Sequence, residues 1–217
     1  MANLKEIRNR IASVSSTMQI TSAMKMVSAA KLKKAQDAII AMRPYANTLT
    51  KLIQNLSGNL EEDTQNPYTQ VRTKQKTLIV SLTSNRGLCG AFNANIIKKT
   101  RQLIDRDFSE QDVSLITIGK KGSEVLEKTG KIIDVHDAVY DDLNYDNVGQ
   151  IAQNIMDKFA AQSFDQVVLV YNQFKNSATQ LVEVEPFLPI VAELNDSVSP
   201  IADYIFEPSK PVSYTHL

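Results

Sequence analysis

The sequence has no tryptophan, one cysteine and two histidines in 217 residues. A lone Cys89 excludes an intrachain disulfide and makes a cytosolic compartment the default. No run of about 18 apolar residues occurs, so no membrane span is expected. The opening stretch, MANLKEIRNRI, lacks the apolar core of a secretory signal and the acid-poor spacer of an organelle transit peptide. Membrane association is therefore expected only through a partner. Neither sign of charge is in excess, at 24 Lys and Arg against 24 Asp and Glu, so the total points to no partner class. What is present is ordinary for a folded, soluble chain: 43% apolar and 22% charged residues.

Glycine is also sparse, and its distribution divides the chain. The first of seven glycines is Gly58, and the other six fall between residues 87 and 149. Residues 4 to 56 read as one helix. Asn3 is placed to cap it, with Glu6 in the capping-box position. Gly58 follows as a C-terminal stop. At 1.5 Å per residue this helix is about 80 Å long. Its apolar positions keep one heptad register from Leu4 and Ile7 to Ile53 and Leu56, with thirteen of sixteen a and d positions apolar. A sustained 3.5-residue repeat signals a coiled-coil seam that wants a partner helix. The three exceptions, Thr21, Lys25 and Ser28, are consecutive and mark a different environment. A bend is expected at Pro44, which lacks an N–H and clashes with the carbonyl of Ile40.

Charge follows the same division. Residues 1 to 56 carry nine Lys and Arg against Glu6 and Asp37, a net of +7, so the remainder is −7. A basic rod joined to an acidic body is steered toward acidic surfaces. Nucleic acid is disfavoured as the partner: the rod's only aromatic is Tyr45, and neither zinc ligands nor a helix-turn-helix break accompanies it. A solvated lysine-rich face is the simpler alternative.

From Lys76 the period changes. TLIVSLT (77–83), VSLITIG (113–119) and QVVLVYNQF (166–174) are short, β-branched apolar runs of the kind buried in a parallel sheet. Helical stretches lie between them, around 93–106, 120–129 and 147–162. QLVEVEPFLPI (180–190), with Pro189, reads as an edge strand. The expected fold is α/β: a long N-terminal coiled-coil helix and a small Rossmann-like domain with a mainly parallel sheet. The expected divisions are a shaft helix at 1–57, a polar connector at 58–75, the α/β domain at 76–209 and an atypical tail at 210–217.

The segment SLTSNRGLCGAFN (81–93) places a strand, a glycine loop and a helix in the order of many phosphate sites. It lacks the third glycine of a dinucleotide fingerprint and the Lys-Ser/Thr of a P-loop. Leu88 and Phe92 are bulky where a phosphate needs backbone to come close, so a structural loop with these two residues packed inward is favoured. Cys89 could pair with His136 or His216, but a small buried cysteine is the simpler reading. Asp134, Asp137, Asp141, Asp142 and Asp146 do not match an EF-hand and read as a solvated acidic face. Met18, Met24, Met26 and Met42 sit at helix spacing and suit an interface that repacks. Two readings stay open on these residues alone: a small α/β nucleotide-binding enzyme with a helical oligomerisation arm, and a coiled-coil scaffold.

Three stretches then narrow the choice. IRNRIASVSSTMQITSAMKMVSAAKLKKAQ (7–36), SNRGLCGAFNANIIK (84–98) and DYIFEPS (203–209) closely resemble the gamma subunit of F-type ATP synthases, in the same order and spacing. The start at Met1 resembles a bacterial form. The resemblance implies a non-catalytic central-stalk rotor subunit that couples proton flow through a membrane ring to ATP synthesis or hydrolysis. Its implied partners are the alpha and beta subunits, the epsilon subunit and the c-subunit ring, at the cytoplasmic face of the cell membrane. It implies catalysis on the beta subunits, and no catalytic, cofactor or metal site on this chain. Thr21, Met24, Lys25 and Ser28 correspond to positions meeting the acidic loops of the beta subunits. Tyr204 and Phe206 correspond to the foot against the c ring and epsilon. The family continues after EPS as a second shaft helix, which KPVSYTHL does not resemble, so a truncated form is expected.

Overall fold

The computed structural model describes residues 3–58, 66–176 and 178–191. The chain divides into two compact units, 1–52 and 53–217. The first is most of helix α1 (Leu4–Gly58), which runs through Pro44 without interruption. Asn3 caps it as expected: the amide of Lys5 donates to Asn3 Oδ1 at 3.2 Å, and the amide of Ile7 donates to Asn3 O at 3.1 Å. Nearly every side chain from 3 to 50 is exposed, including the seam residues Leu4, Ile11, Val14 and Met18.

The second unit holds a five-stranded sheet. In chain order its elements are β1 (Lys76–Leu82), α2 (Phe92–Gln102), β2 (Asp112–Ile118), α3 (Lys120–Leu126), β3 (Ile132–Val135), α4 (Tyr145–Ala160), β4 (Gln166–Phe174) and β5 (Gln180–Leu188). The strand order is β3-β2-β1-β4-β5. The first four strands are mutually parallel, and β5 runs antiparallel to β4 as an edge strand. A mainly parallel sheet of this order is doubly wound.

Each face has its own core. Leu78, Val80 and Val167 point to the face covered by Ile155 and Phe159 of α4. Ile79, Leu115 and Val170 point to the other face, against Ile96 of α2 and Leu126 of α3. β1 lies between two strands and two helical layers, which is why TLIVSLT is a continuous apolar run rather than an alternating one. α2 continues into a π turn, Leu103–Asp107, that buries Leu103 and Ile104.

Two local features depart from the sequence reading. β3 was not expected. It has only four residues and sits at the sheet edge with alternate side chains exposed, so its apolar signal is weak. α4 begins at Tyr145, two residues early, because Asn144 caps it by accepting the amide of Asn147 at 2.8 Å.

Candidate functional site

The four collar candidates are all exposed on α1. At 3.6 residues per turn, Thr21, Met24, Lys25 and Ser28 fall within an arc of about 100°. Thr21 and Lys25 share an open groove along the helix with Val14, Thr17, Met18 and Ser22. Thr21 turns its hydroxyl inward and donates to Thr17 O at 2.8 Å. The Thr21 hydroxyl is thus engaged with its own helix, beside the exposed Met24 thioether, Lys25 and Ser28. Tyr204 and Phe206 of the foot lie outside the described residues, as do His216 and the 210–217 tail.

The glycine loop follows β1, beside the strand ends where a doubly wound sheet usually holds its ligand. Here the loop is filled by its own side chains. Asn93 Oδ1 accepts the amide of Ser84 at 2.9 Å. Asn93 Nδ2 reaches Arg86 O at 3.2 Å and the Cys89 sulfur at 3.2 Å. Ser84 Oγ donates to Arg86 O at 2.7 Å. Asn172 Nδ2 of β4 donates to Phe92 O at 2.9 Å and fastens the start of α2 to the sheet. The loop's polar groups bond to one another, and two details of its expected packing are corrected. Leu88 is fully exposed at the tip, with a φ of 60°, rather than packed inward. Cys89 is exposed rather than buried. The left-handed backbone at Leu88 and Gly90 turns the tip outward, and Asn93 takes the interior those side chains were expected to fill.

Glycine matters more in the neighbouring loop, at the end of β2. Thr83 Oγ1 donates to Gly119 O at 3.0 Å and accepts the amide of Gly122 at 2.8 Å. A Cβ on Gly119 would stand 2.1 Å from Thr83 O, and one on Gly122 would stand 2.7 Å from Thr83 Oγ1. Asn85 completes the junction by donating to Asp137 O at 2.7 Å and accepting the amide of Lys120 at 2.9 Å. Sequence reasoning passed over Thr83, Asn85 and Asn93. Their signal is the alternation of small polar residues with glycine just past two strand ends.

No hydrogen bond joins Cys89 and His136 among the described residues. His136 instead faces Asp134 at 3.3 Å. Asp137 Oδ1 accepts from Ser123 at 2.9 Å, and Asp142 Oδ2 accepts from Asn144 at 2.9 Å. No described helix is long and apolar enough to cross a membrane.

A long, exposed heptad helix joined to a doubly wound domain with a self-filled loop defines a class: an α/β protein built to present a coiled-coil helix. Comparison with known proteins makes this specific. The ATP synthase family matches residues 3–217. The chain is 58% identical over 210 residues to the ATP synthase gamma chain of Flavobacterium psychrophilum, covering 97% of this chain and 73% of that one. It is 59% identical over 211 residues to the gamma chain of Flavobacterium johnsoniae, with the same coverage. Among solved structures, it superposes with a TM-score of 0.67 on a chain of the central stalk and c ring of the Tetrahymena thermophila mitochondrial ATP synthase. That pair is 25% identical, over 91% of this chain and 84% of the other. The chain belongs to the ATP synthase gamma-chain family. Its role is that of the central-stalk subunit.

Proposed function

We propose that this chain is the turning shaft that couples a membrane c ring to catalytic sites carried by beta subunits. Helix α1 stands in the cavity of the alpha–beta ring, and the α/β domain, with an epsilon subunit, meets the c ring at the cytoplasmic face of the cell membrane. The chain itself performs no catalysis. One observation supports this reading above others: an uninterrupted helix keeps a 3.5-residue apolar repeat that is left almost wholly exposed. Such a seam is stable only against other protein. The helix's charge of +7 adds long-range attraction to an acidic lining.

Thr21, Met24, Lys25 and Ser28 form the collar that meets the beta subunits. Polar and thioether contacts let the shaft dwell in three near-equivalent orientations, whereas a fully apolar collar would deepen a single well and raise the barrier to rotation. Tyr204 and Phe206 are the contacts of the foot. The seam of α1 pairs with a second long helix supplied by sequence following EPS in the family. Co-purification of the chain with alpha and beta subunits tests the assembly. It is expected to be lost when Lys5, Lys25, Lys31, Lys33 and Lys34 are changed to Glu. Retention of the ring by that variant would overturn the electrostatic part. Tight nucleotide binding by the chain alone would instead favour the enzyme reading, which the Asn93-filled loop opposes.

A further inference from the structure

Residues 66–75 lead into β1, and they lie along the edge of the sheet where the parallel strands begin. Three fastenings hold them there. Tyr68 packs on the core beneath α4, and its carbonyl accepts the amide of Ile190, just beyond β5, at 2.8 Å. Arg72 Nη1 donates to Phe159 O at 3.0 Å and to Phe164 O at 3.3 Å. Its guanidinium also stacks 4.7 Å from the centre of the Phe159 ring, which is fully buried. The amides of Gln75 and Lys76 both donate to Asp165 Oδ2, at 3.0 and 2.8 Å.

The chemistry at Arg72 is specific. Phe159 O, at the end of α4, accepts the Gln162 amide at 3.0 Å and takes Arg72 as a further donor, and a cation there also meets the negative end of the helix dipole. Both carbonyls are met by Nη1 alone, at the end of a flat group that also stacks on the ring; a lysine ammonium has no such plane and ends one bond short of Nη1. The choice has a cost, because Arg72 Nε is buried with no partner. Lysine would avoid that orphan but would forfeit the stack and the reach to both carbonyls. The contacts span 87 and 92 residues of sequence, so they tie the segment entering the domain to the corner between α4 and β4.

We propose that Arg72 is the positioning residue of a load-bearing clamp. The segment entering the α/β domain and the segment leaving it are held to each other at Tyr68 and Ile190. The entering segment is pinned to the α4–β4 corner by Arg72 and Asp165, and the leaving segment is tied to it through Tyr68. Torsional load between the domain and the helices it drives is thus shared by two chain segments and is not borne by the peptide before Lys76 alone. This rests on the shaft reading of the chain.

The test uses the assembled ATP synthase complex in membrane vesicles. It measures ATP hydrolysis without load, and ATP-driven proton pumping against an imposed gradient. Arg72→Lys, and independently Asp165→Asn, are expected to leave unloaded hydrolysis within about twofold while loaded pumping falls roughly tenfold, the factor that one lost charge-assisted hydrogen bond represents. Ile104→Val, in the core of the opposite sheet face, controls for stability and is expected to leave loaded pumping unchanged. Wild-type pumping by Arg72→Lys, or an equal loss in Ile104→Val, overturns the clamp. A complex with the unaltered chain that hydrolyses ATP but never pumps overturns the shaft reading itself, and the clamp with it.

Discussion

At the scale of single residues, the tightest constraint is the contact between Thr83 and the glycines after β2. Gly119 has a φ of 104°, and a Cβ there would stand 2.1 Å from Thr83 O. Gly119→Ala is expected to lower unfolding free energy by about 3 kcal/mol, through backbone strain and displacement of a rigid carbonyl. Gly122→Ala meets the Thr83 side chain, Oγ1 at 2.7 Å and Cγ2 at 3.0 Å, rather than a rigid carbonyl, so about 2 kcal/mol is expected. Urea midpoints of the two variants check the size and the ranking, and a Gly119→Ala midpoint equal to the parent's would refute the contact. Tyr171 gives a second handle. Burial first, and then a 2.7 Å bond to Glu185 and the nearby carboxylates, push its phenol up to about 12 from the usual 10. A raised folded-state value favours the protonated form. This contribution is therefore complete below pH 10 and is lost as pH rises toward 12. Thermal melts between pH 9 and 12 should show a decline that is shallower in Tyr171→Phe. Equal slopes would mean that Glu185 does not hold the phenol. None of this was legible in the sequence, because Thr83 and the two glycines stand 36 or more residues apart and meet only when β1 and β2 pair.

At the scale of elements, legibility tracked burial. β4 was readable to the residue because QVVLVYNQF lies deep in the sheet, where both faces demand apolar side chains. β1 and β2 were displaced by one residue, within the usual fraying of strand ends. β3 escaped notice because an edge position asks for only one apolar face. The long helix was legible for another reason: its pattern answers to a partner and not to the domain's own core. That difference has a dynamic consequence. β1 and β4 are clamped between two helical layers, whereas α1 from residue 4 to 50 buries almost nothing. Isolated helix is stabilised mainly by packing, so an uncovered seam should open locally far more often than the sheet. Hydrogen exchange on the purified chain should show amides of residues 10–40 exchanging at least about a hundredfold faster than those of Leu78–Val80 and Val167–Leu169. Comparable protection in a monomeric sample would mean that α1 is covered by something within this chain.

At the scale of the whole molecule, two units of opposite charge are joined in one chain, and the division of labour follows from that. The acidic α/β unit has ordinary cores on both faces and can hold its shape alone. The basic helix has its apolar side chains and its cations exposed, open to other protein. Met24 is the place to test this division, since it stands at the opposite edge of the proposed collar arc from Lys25 and is itself exposed. Lysine at 24 would add a second ammonium to that arc, about 100° around the helix from Lys25, and on the proposed reading each could seek a carboxylate of the partner. Two charge-assisted contacts would deepen one rotational well relative to the others. Met24→Lys is therefore expected to leave the folding of the chain and its assembly intact, because no core contact is lost. ATP-driven proton pumping should fall about tenfold, the effect of roughly 1.4 kcal/mol added to the exit from one dwell. High salt should restore part of that loss by screening the new pair. Unchanged torque and unchanged pumping in Met24→Lys would show that the shaft is gripped elsewhere along α1.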